Sequence, residues 1–203
     1  RSALPDLCSV HYIADADEWV TLLEIPDMWR FITPVHSGTD EEALSDAFIE
    51  SRLQGFVPRG ISYDIQVRAI YRAHQRVAAT YRRGRAFLAG DAAHLNNPIG
   101  GMGLNGGLHD ALDLAERLAR VWRGAAAAEL LDGYERKRKP VVVSAILAQT
   151  ARNKRLLEER DSEVRRETLE QWRRMAADPE IAYRHLLQTS MIAPLREAER
   201  NSA

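Results

Sequence analysis

The apolar residues change their period along the chain, and each period predicts a different element. Over residues 7–35, apolar runs broken by polar turns predict a β meander. Asp15 to Glu18 reads as a polar turn. Trp19–Ile25 and Met28–Thr33 read as two arms of a hairpin bent at Pro26 and Asp27, residues suited to a tight turn. Thr39 followed by Glu42 is a capping-box signature, in which the hydroxyl takes a helical amide and the glutamate reaches back. The helix it opens is expected to run to about Leu53, with Gly55 supplying a left-handed stop. From Ile61 to Tyr71 apolar and polar residues alternate, with Ile61, Tyr63, Ile65, Val67, Ala69 and Tyr71 on one face, which predicts a half-buried strand. Its polar face either meets solvent or lines a pocket.

Beyond Gly103 the period becomes helical. Leu104, Leu108, Ala111, Leu112, Ala115, Leu118, Ala119 and Trp122 recur at helix spacing and stop at Gly124. A second helix is expected over Ala126–Lys137, and Pro140 is expected to open another. Residues 151–174 are crowded with Arg and Glu around Leu156, Leu157, Val164, Leu169 and Trp172, and a last helix follows Pro179.

Between these regimes lies the stretch richest in chemistry. Phe87, Leu88 and Ala89 read as a buried strand that ends at Gly90-Asp91, followed by a glycine-rich loop and the start of a helix. A carboxylate at a strand end, then glycines that let backbone amides reach a ligand, suits a cofactor carrying hydroxyls and a delocalised negative charge. The bland alternative is a tight turn that Asp91 merely caps. Gly101-Met-Gly103-Leu-Asn-Gly106 has the spacing of the dinucleotide fingerprint but is not one. Such glycines follow a strand directly and precede a second strand ending in an acidic residue about 20 residues on. Here Gly100 comes ten residues after Gly90, and more helix follows Trp122.

Composition narrows the classes. The 203 residues, 45% of them hydrophobic, suffice for one useful core or two small ones. A net charge of −1 with interleaved signs gives no field that would recruit nucleic acid or an anionic membrane. The lone Cys8 excludes an internal disulfide and any cysteine-cluster metal site. His11, His36, His74 and His185 show no metal-ligand spacing. No apolar run approaches the roughly 18 residues of a spanning helix, no signal peptide is recognised, and a reducing cytoplasm is the expected compartment.

Asp91, His94, Pro98, Gly100, Gly101, Gly103 and Asn105 fall in order on the pattern GDAAH…P.GG.G.N. In this run the sequence resembles the flavoprotein aromatic hydroxylases, the p-hydroxybenzoate hydroxylase family, whose second FAD motif has that form. The resemblance implies an α/β protein, α+β within this chain. Residues 1–80 would belong to a substrate-binding β-sheet domain, 81–124 to the second half of the FAD-binding domain, and 125–203 to a helical C-terminal region. The family's opening dinucleotide-binding turn and its middle motif are not among these residues; Asp132-Gly133, a lookalike of the latter, sits in a helical pattern. Arg1 to Pro5 reads as an interior loop, so a C-terminal fragment is expected.

By the same resemblance, FAD would be held by Gly90, Asp91, Pro98, Gly100, Gly101, Gly103, Leu104 and Asn105. The Asp91 carboxylate would bind the ribityl chain, and the Leu104 and Asn105 amides would reach the flavin edge that becomes negative. Pro98 would border substrate and flavin, or simply stiffen the loop. His94 is expected to position backbone, and His109 to sit half-exposed on its helix. Trp29 and Tyr63, with Trp19, Phe31 and Tyr71, are candidates for the sheet that roofs the flavin around an aromatic substrate, against the plainer reading of core. Asn96, Asn97 and Met102 depart from the family's usual residues, and their side chains are expected at the cofactor or substrate edge.

The activity implied is an FAD-dependent monooxygenase, with NAD(P)H as cosubstrate, that hydroxylates a phenol-like ring through a flavin C4a-hydroperoxide. No catalytic side chain is named, and the fragment alone is expected to be inactive. A related flavin oxidoreductase, of quinone-pathway hydroxylase or epoxidase type, is the alternative within flavoenzymes. Outside enzymes the alternative is a non-catalytic domain that forms a homodimer through its Arg/Glu-rich tail, which otherwise reads as a solvated helix face.

Overall fold

The early apolar runs become three antiparallel strands, β1 (Val10–Ala14), β2 (Trp19–Ile25) and β3 (Met28–Ile32), in that spatial order. The computed structural model describes residues 8–15 and 18–200; Ala16 and Asp17 of the predicted turn, and the opening Arg1 to Pro5, lie outside the described residues. Ile25 pairs with Met28, so Pro26 and Asp27 are the two turn residues, with Asp27 in the left-handed region at φ 66°. Trp19, Val20, Thr21 and Leu22 on the central strand are all buried. The chain divides between Arg72 and Ala73 into two units.

The first unit continues with α1 (Asp40–Ala43) and α2 (Asp46–Phe56). The capping box is present: Glu42 N–H donates to Thr39 Oγ1 at 3.2 Å, and Thr39 N–H donates to Glu42 Oε2 at 2.7 Å. The single helix expected there is broken at Leu44, and Ser45 caps α2 by accepting from Phe48 N–H at 3.3 Å. Gly55 is not the expected stop. It lies inside α2, outside the left-handed region, and the helix ends one residue later, where Pro58 forces Val57 out of helical geometry.

The segment from Ile61 to Tyr71 is not the predicted strand. Side chains hold it instead: Tyr63 N–H donates to Glu50 Oε2 at 3.0 Å, and Gln54 Nε2 donates to Ile61 O at 2.9 Å. Val67 is 79% exposed. Alternation sorts side chains by face, but a strand also needs a second backbone for its N–H and C=O groups, and none pairs here among the described residues.

The second unit opens with short ladders, β4 (Arg76–Val77) against β7 (His94–Leu95) and β5 (Arg82–Arg83) against β6 (Ala86–Phe87). The expected strand through Ala89 stops at Phe87, and Leu88 is exposed rather than buried. A 3-10 turn (Gly90–Ala92) and a loop lead into α3 (Gly103–Trp122), which ends at Gly124 with φ 69°. The apolar stripe that marks α3 in the sequence is not the side it buries. Leu104 is 76%, Leu112 69% and Trp122 92% exposed, while Gly106 and Asp110 are buried.

Next come a 3-10 turn (Ala128–Leu131) and α4 (Asp132–Val141). Pro140 does not open a helix; it lies inside α4, and a π turn (Val142–Leu147) follows before α5 (Ala148–Leu157). Proline has no N–H for the ladder, and the wider turn that follows lets the helix run on. Asp161 and Asp178 cap α6 (Ser162–Ala177) and α7 (Pro179–Thr189). The chain then breaks at Met191, φ 62°, so that α8 (Ile192–Arg200) is separate. Met102, Val141, Val142, Ala145, Ile146 and Met191 make one buried cluster; Tyr81, Ala93 and Tyr134 make another.

Candidate functional site

Gly90, at φ 57°, starts the turn after β6 and sets its backbone directly against α3. A Cβ built on Gly107 would lie 3.3 Å from Gly90 Cα, so the two backbones touch because neither carries a side chain. Around this contact Ala89, Gly90, Asp91, Gly103, Leu104, Gly107, Leu108 and Ala111 line an open groove of about 420 Å³. Asp91 is exposed. Among the described residues no side chain caps the first turn of α3, and no acidic residue sits in that turn. The helix therefore presents unpaired amides and the positive end of its dipole beside the groove.

The loop between β7 and α3 is fixed by amide side chains. Asn97 Nδ2 donates to Gln75 Oε1 at 3.0 Å, and Ile99 N–H donates to Asn97 Oδ1 at 3.2 Å. Asn153 Nδ2 donates to Ile99 O at 3.3 Å, and Gln75 Nε2 donates to Leu147 O, in the π turn, at 3.1 Å. The expectation that Asn97 and Met102 face a ligand is corrected: both are buried, Asn97 as a brace for the loop and Met102 in the core. Asn96 donates to Asn97 O at 2.7 Å and packs against Gly103.

Behind the groove lies a charged cluster that sequence reasoning missed. Asp110 on α3 is 0% exposed. Its Oδ2 accepts from Gly90 N–H at 3.1 Å and lies 2.7 Å from His94 Nε2; its Oδ1 accepts from Arg138 Nε on α4 at 2.8 Å. Burial works to raise the Asp110 pKa, yet the His94 and Arg138 hydrogen bonds, the Arg138 charge and the Gly90 amide outweigh it and hold the carboxyl below its ordinary value. Tyr81 stacks on His94 at 6.3 Å, and its hydroxyl is pushed up to about 12, by burial first and then by the Asp110 charge. Burial and Asp110 likewise raise Tyr134, whose hydroxyl donates to Leu88 O at 2.8 Å. One signal for the cluster was available: Gly103, Gly106, Gly107 and Asp110 form a stripe of small residues ending in a carboxylate, beside the leucine stripe of α3.

Of the residues singled out in the sequence, Gly90, Asp91, Gly103 and Leu104 line the one groove. Pro98, Gly100 and Gly101 lie on the loop leading to it, and Asn105 on the first turn of α3, where its side chain donates to Gly101 O at 3.3 Å. His94 is buried against Asp110, and its other ring nitrogen, Nδ1, has no hydrogen-bond partner among the described residues. His109 is half-buried, its pKa lowered chiefly by burial and then by Arg138. Trp29 and Tyr63 belong to the first unit. Trp29 packs on His11 at 6.4 Å, and Tyr63 donates its hydroxyl to Val57 O at 2.5 Å. Trp19, another of the five aromatics weighed for the substrate sheet, is core.

The groove fits a flat ring with a polyhydroxyl chain. Its lining includes the close-packed glycine backbones of Gly90 and Gly107, the exposed Asp91 carboxylate and the start of α3, which no described side chain caps. Among the described residues no group of His, Cys, Asp or Glu is arranged to hold a metal, and no helix is long and apolar enough to cross a membrane.

Over residues 24–149 the sequence matches the family described as FAD binding domain. It is 42% identical over 111 residues to the 3-(3-hydroxy-phenyl)propionate/3-hydroxycinnamic acid hydroxylase of Mycolicibacterium smegmatis, covering 54% of this chain and 20% of that protein. It is 39% identical over 140 residues to the para-nitrophenol 4-monooxygenase of Pseudomonas sp. (strain WBC-3), covering 64% of this chain and 34% of that one. The crystal structure of p-nitrophenol 4-monooxygenase from Pseudomonas putida DLL-E4 superposes with a TM-score of 0.82 at 27% identity, covering 95% of this chain and 49% of that one. The chain thus spans a fifth to a third of these two curated relatives.

Proposed function

The chain belongs to the FAD-binding-domain family, and on that premise we propose that it forms the flavin-facing part of an FAD-dependent monooxygenase acting on a phenol-like aromatic. The observation that carries this reading is the shared groove: Asp91, the Gly90–Gly107 contact and the first turn of α3 line it together. The Asp91 carboxylate accepts hydrogen bonds from the ribityl hydroxyls. The amides of Leu104 and Asn105 favour negative charge on the ring edge beside them, since a helix N-terminus stabilises an anion. The glycine floor lets a planar ring lie on backbone, with Pro98, Gly100 and Gly101 shaping the approach.

The flavin, reduced by NAD(P)H, supplies oxygen activation; the protein supplies position, charge complement and a dry pocket. Trp29 and Tyr63 are the substrate contacts proposed on the first unit. A reducing cytoplasm, where NAD(P)H is available, is the compartment that goes with this reading.

In this reading the 203 residues alone neither bind FAD tightly nor oxidise NADPH. Support comes from the small share of the relatives that the chain covers and from the exposed leucines of α3. Titrating the isotope-labelled chain with FAD tests it. Shifts confined to the groove residues and the loop 98–105, at weak affinity, support the reading, and shifts elsewhere without these overturn the site. Sub-micromolar affinity by calorimetry overturns the expected inactivity of the isolated chain.

A second reading, a dimerising region without catalysis, draws on the exposed Leu169 and Trp172 of α6 and Tyr183 and Leu186 of α7. Self-association in sedimentation, without flavin uptake, favours it. A related oxidoreductase differs from the hydroxylase only in substrate and product, because one fold hosts several reactions; product analysis with a panel of phenols separates the two.

A further inference from the structure

We propose that Asp110 is the positioning residue of the groove: through the Gly90 amide it sets where the Gly90–Asp91 wall stands relative to α3. The inference rests on the flavin reading for its functional meaning only.

Asp110 is reached by donors from three other elements. Gly90 belongs to the turn, His94 to β7 and Arg138 to α4. Arg138 Nη2 also donates to Gly106 O at 3.4 Å, so α4 grips α3 at two places. A buried ion pair is a poor source of stability, since apolar residues of the same volume often do as well. What the pair gives here is geometry. Asp110 lies three residues beyond Gly107, almost one helical turn along the same face, and its carboxylate draws the Gly90 backbone onto that face.

Only a carboxylate can do this. Oδ2 serves Gly90 and His94 while Oδ1 serves Arg138, so both oxygens must accept. Asparagine in the same place turns an NH₂ group either toward the Gly90 amide or toward Arg138. Whichever way it flips, one donor faces another donor.

The test is amide hydrogen exchange in the isotope-labelled 203-residue chain. In Asp110→Ala, which leaves the Gly90 amide no side-chain acceptor whichever way Arg138 settles, that amide should exchange about tenfold faster or more, as expected for loss of a hydrogen bond to a charged group. Leu88 and Ala78, whose amides bond the carbonyls of Tyr81 and Ala93, should keep their wild-type rates. An unchanged Gly90 rate, or equal acceleration of all three, overturns the proposal; the second result would mark Asp110 as a structural residue only. If the variant does not fold, the wild-type chain decides. On acidification the Gly90 amide shift should move with the Asp110 carboxyl carbon through one midpoint, and a Gly90 signal that stays still overturns the proposal. FAD added to the wild-type chain tests the flavin reading separately: its failure to shift Asp91 removes that reading and leaves the exchange result standing.

Discussion

Gly107 on α3 stands so close to Gly90 that a methyl group on it would lie 3.3 Å from the Gly90 Cα. Gly90 cannot easily yield, because its amide is tied to the buried Asp110. Gly107→Ala should therefore separate the two walls of the groove. Alanine is the better helix former by about 1 kcal/mol, so the variant should keep or nearly keep its thermal midpoint while losing flavin-induced shifts at Gly90 and Asp91. Unaltered flavin shifts in the variant would show that the contact is not part of the site.

Arg138 is 1% exposed and is the cationic partner of Asp110 within hydrogen-bond distance. Arg138→Met keeps much of the apolar volume but strands the carboxylate in the interior. Breaking a buried pair from one side costs about 3–5 kcal/mol, and urea unfolding of the variant should show a loss of that order. A loss within about 0.5 kcal/mol, the range of ordinary surface changes, would mean that the pair is not buried in solution.

Acid should weaken the second unit for a related reason. Asp110 has a folded pKa below its ordinary value, which is about 3.9 in an unfolded chain. A depressed carboxyl contributes stability that is fully present above the unfolded value and is lost as pH falls through the lower folded one. The urea midpoint should accordingly decline once the pH drops below about 4. Arg138→Met, with fewer donors holding the carboxylate ionised, should decline from a higher pH. Parallel pH profiles for the two proteins would contradict this.

Alkaline titration offers a spectroscopic check on the Tyr81–Tyr134 cluster. Tyr81 is pushed up to about 12, by burial first, and Tyr134 is raised by the same cause. Stability from a raised phenol is present below the unfolded value of about 10 and lost as pH climbs through the folded one. Of the six tyrosines, these two should be the last to develop phenolate absorbance, and Tyr81→Phe should remove one late step. A single common transition near pH 10 would indicate that the cluster is open to water.

The sequence by itself determined those features whose cause lies within a few residues. Thr39 and Glu42 cap each other, Pro26 and Asp27 turn the hairpin, and Gly103 and Gly124 bound α3. Gly90, Asp91, Gly103 and Leu104, singled out along the chain, line the groove together, although the strand expected to end at Asp91 stops at Phe87. The tertiary structure alone decided which faces are covered. Helical spacing showed that the leucines of α3 share a side, but burial depends on what packs there, and α4 and the Gly90 turn pack on the Gly106–Asp110 side instead. The same holds for residues 61–71, whose alternation lacks a partner backbone, and for Pro140, which a π turn accommodates within a continuing helix. Asp110 shows it most plainly: one of three acidic residues on an amphipathic helix, it is buried and given its role only by donors from three distant parts of the chain.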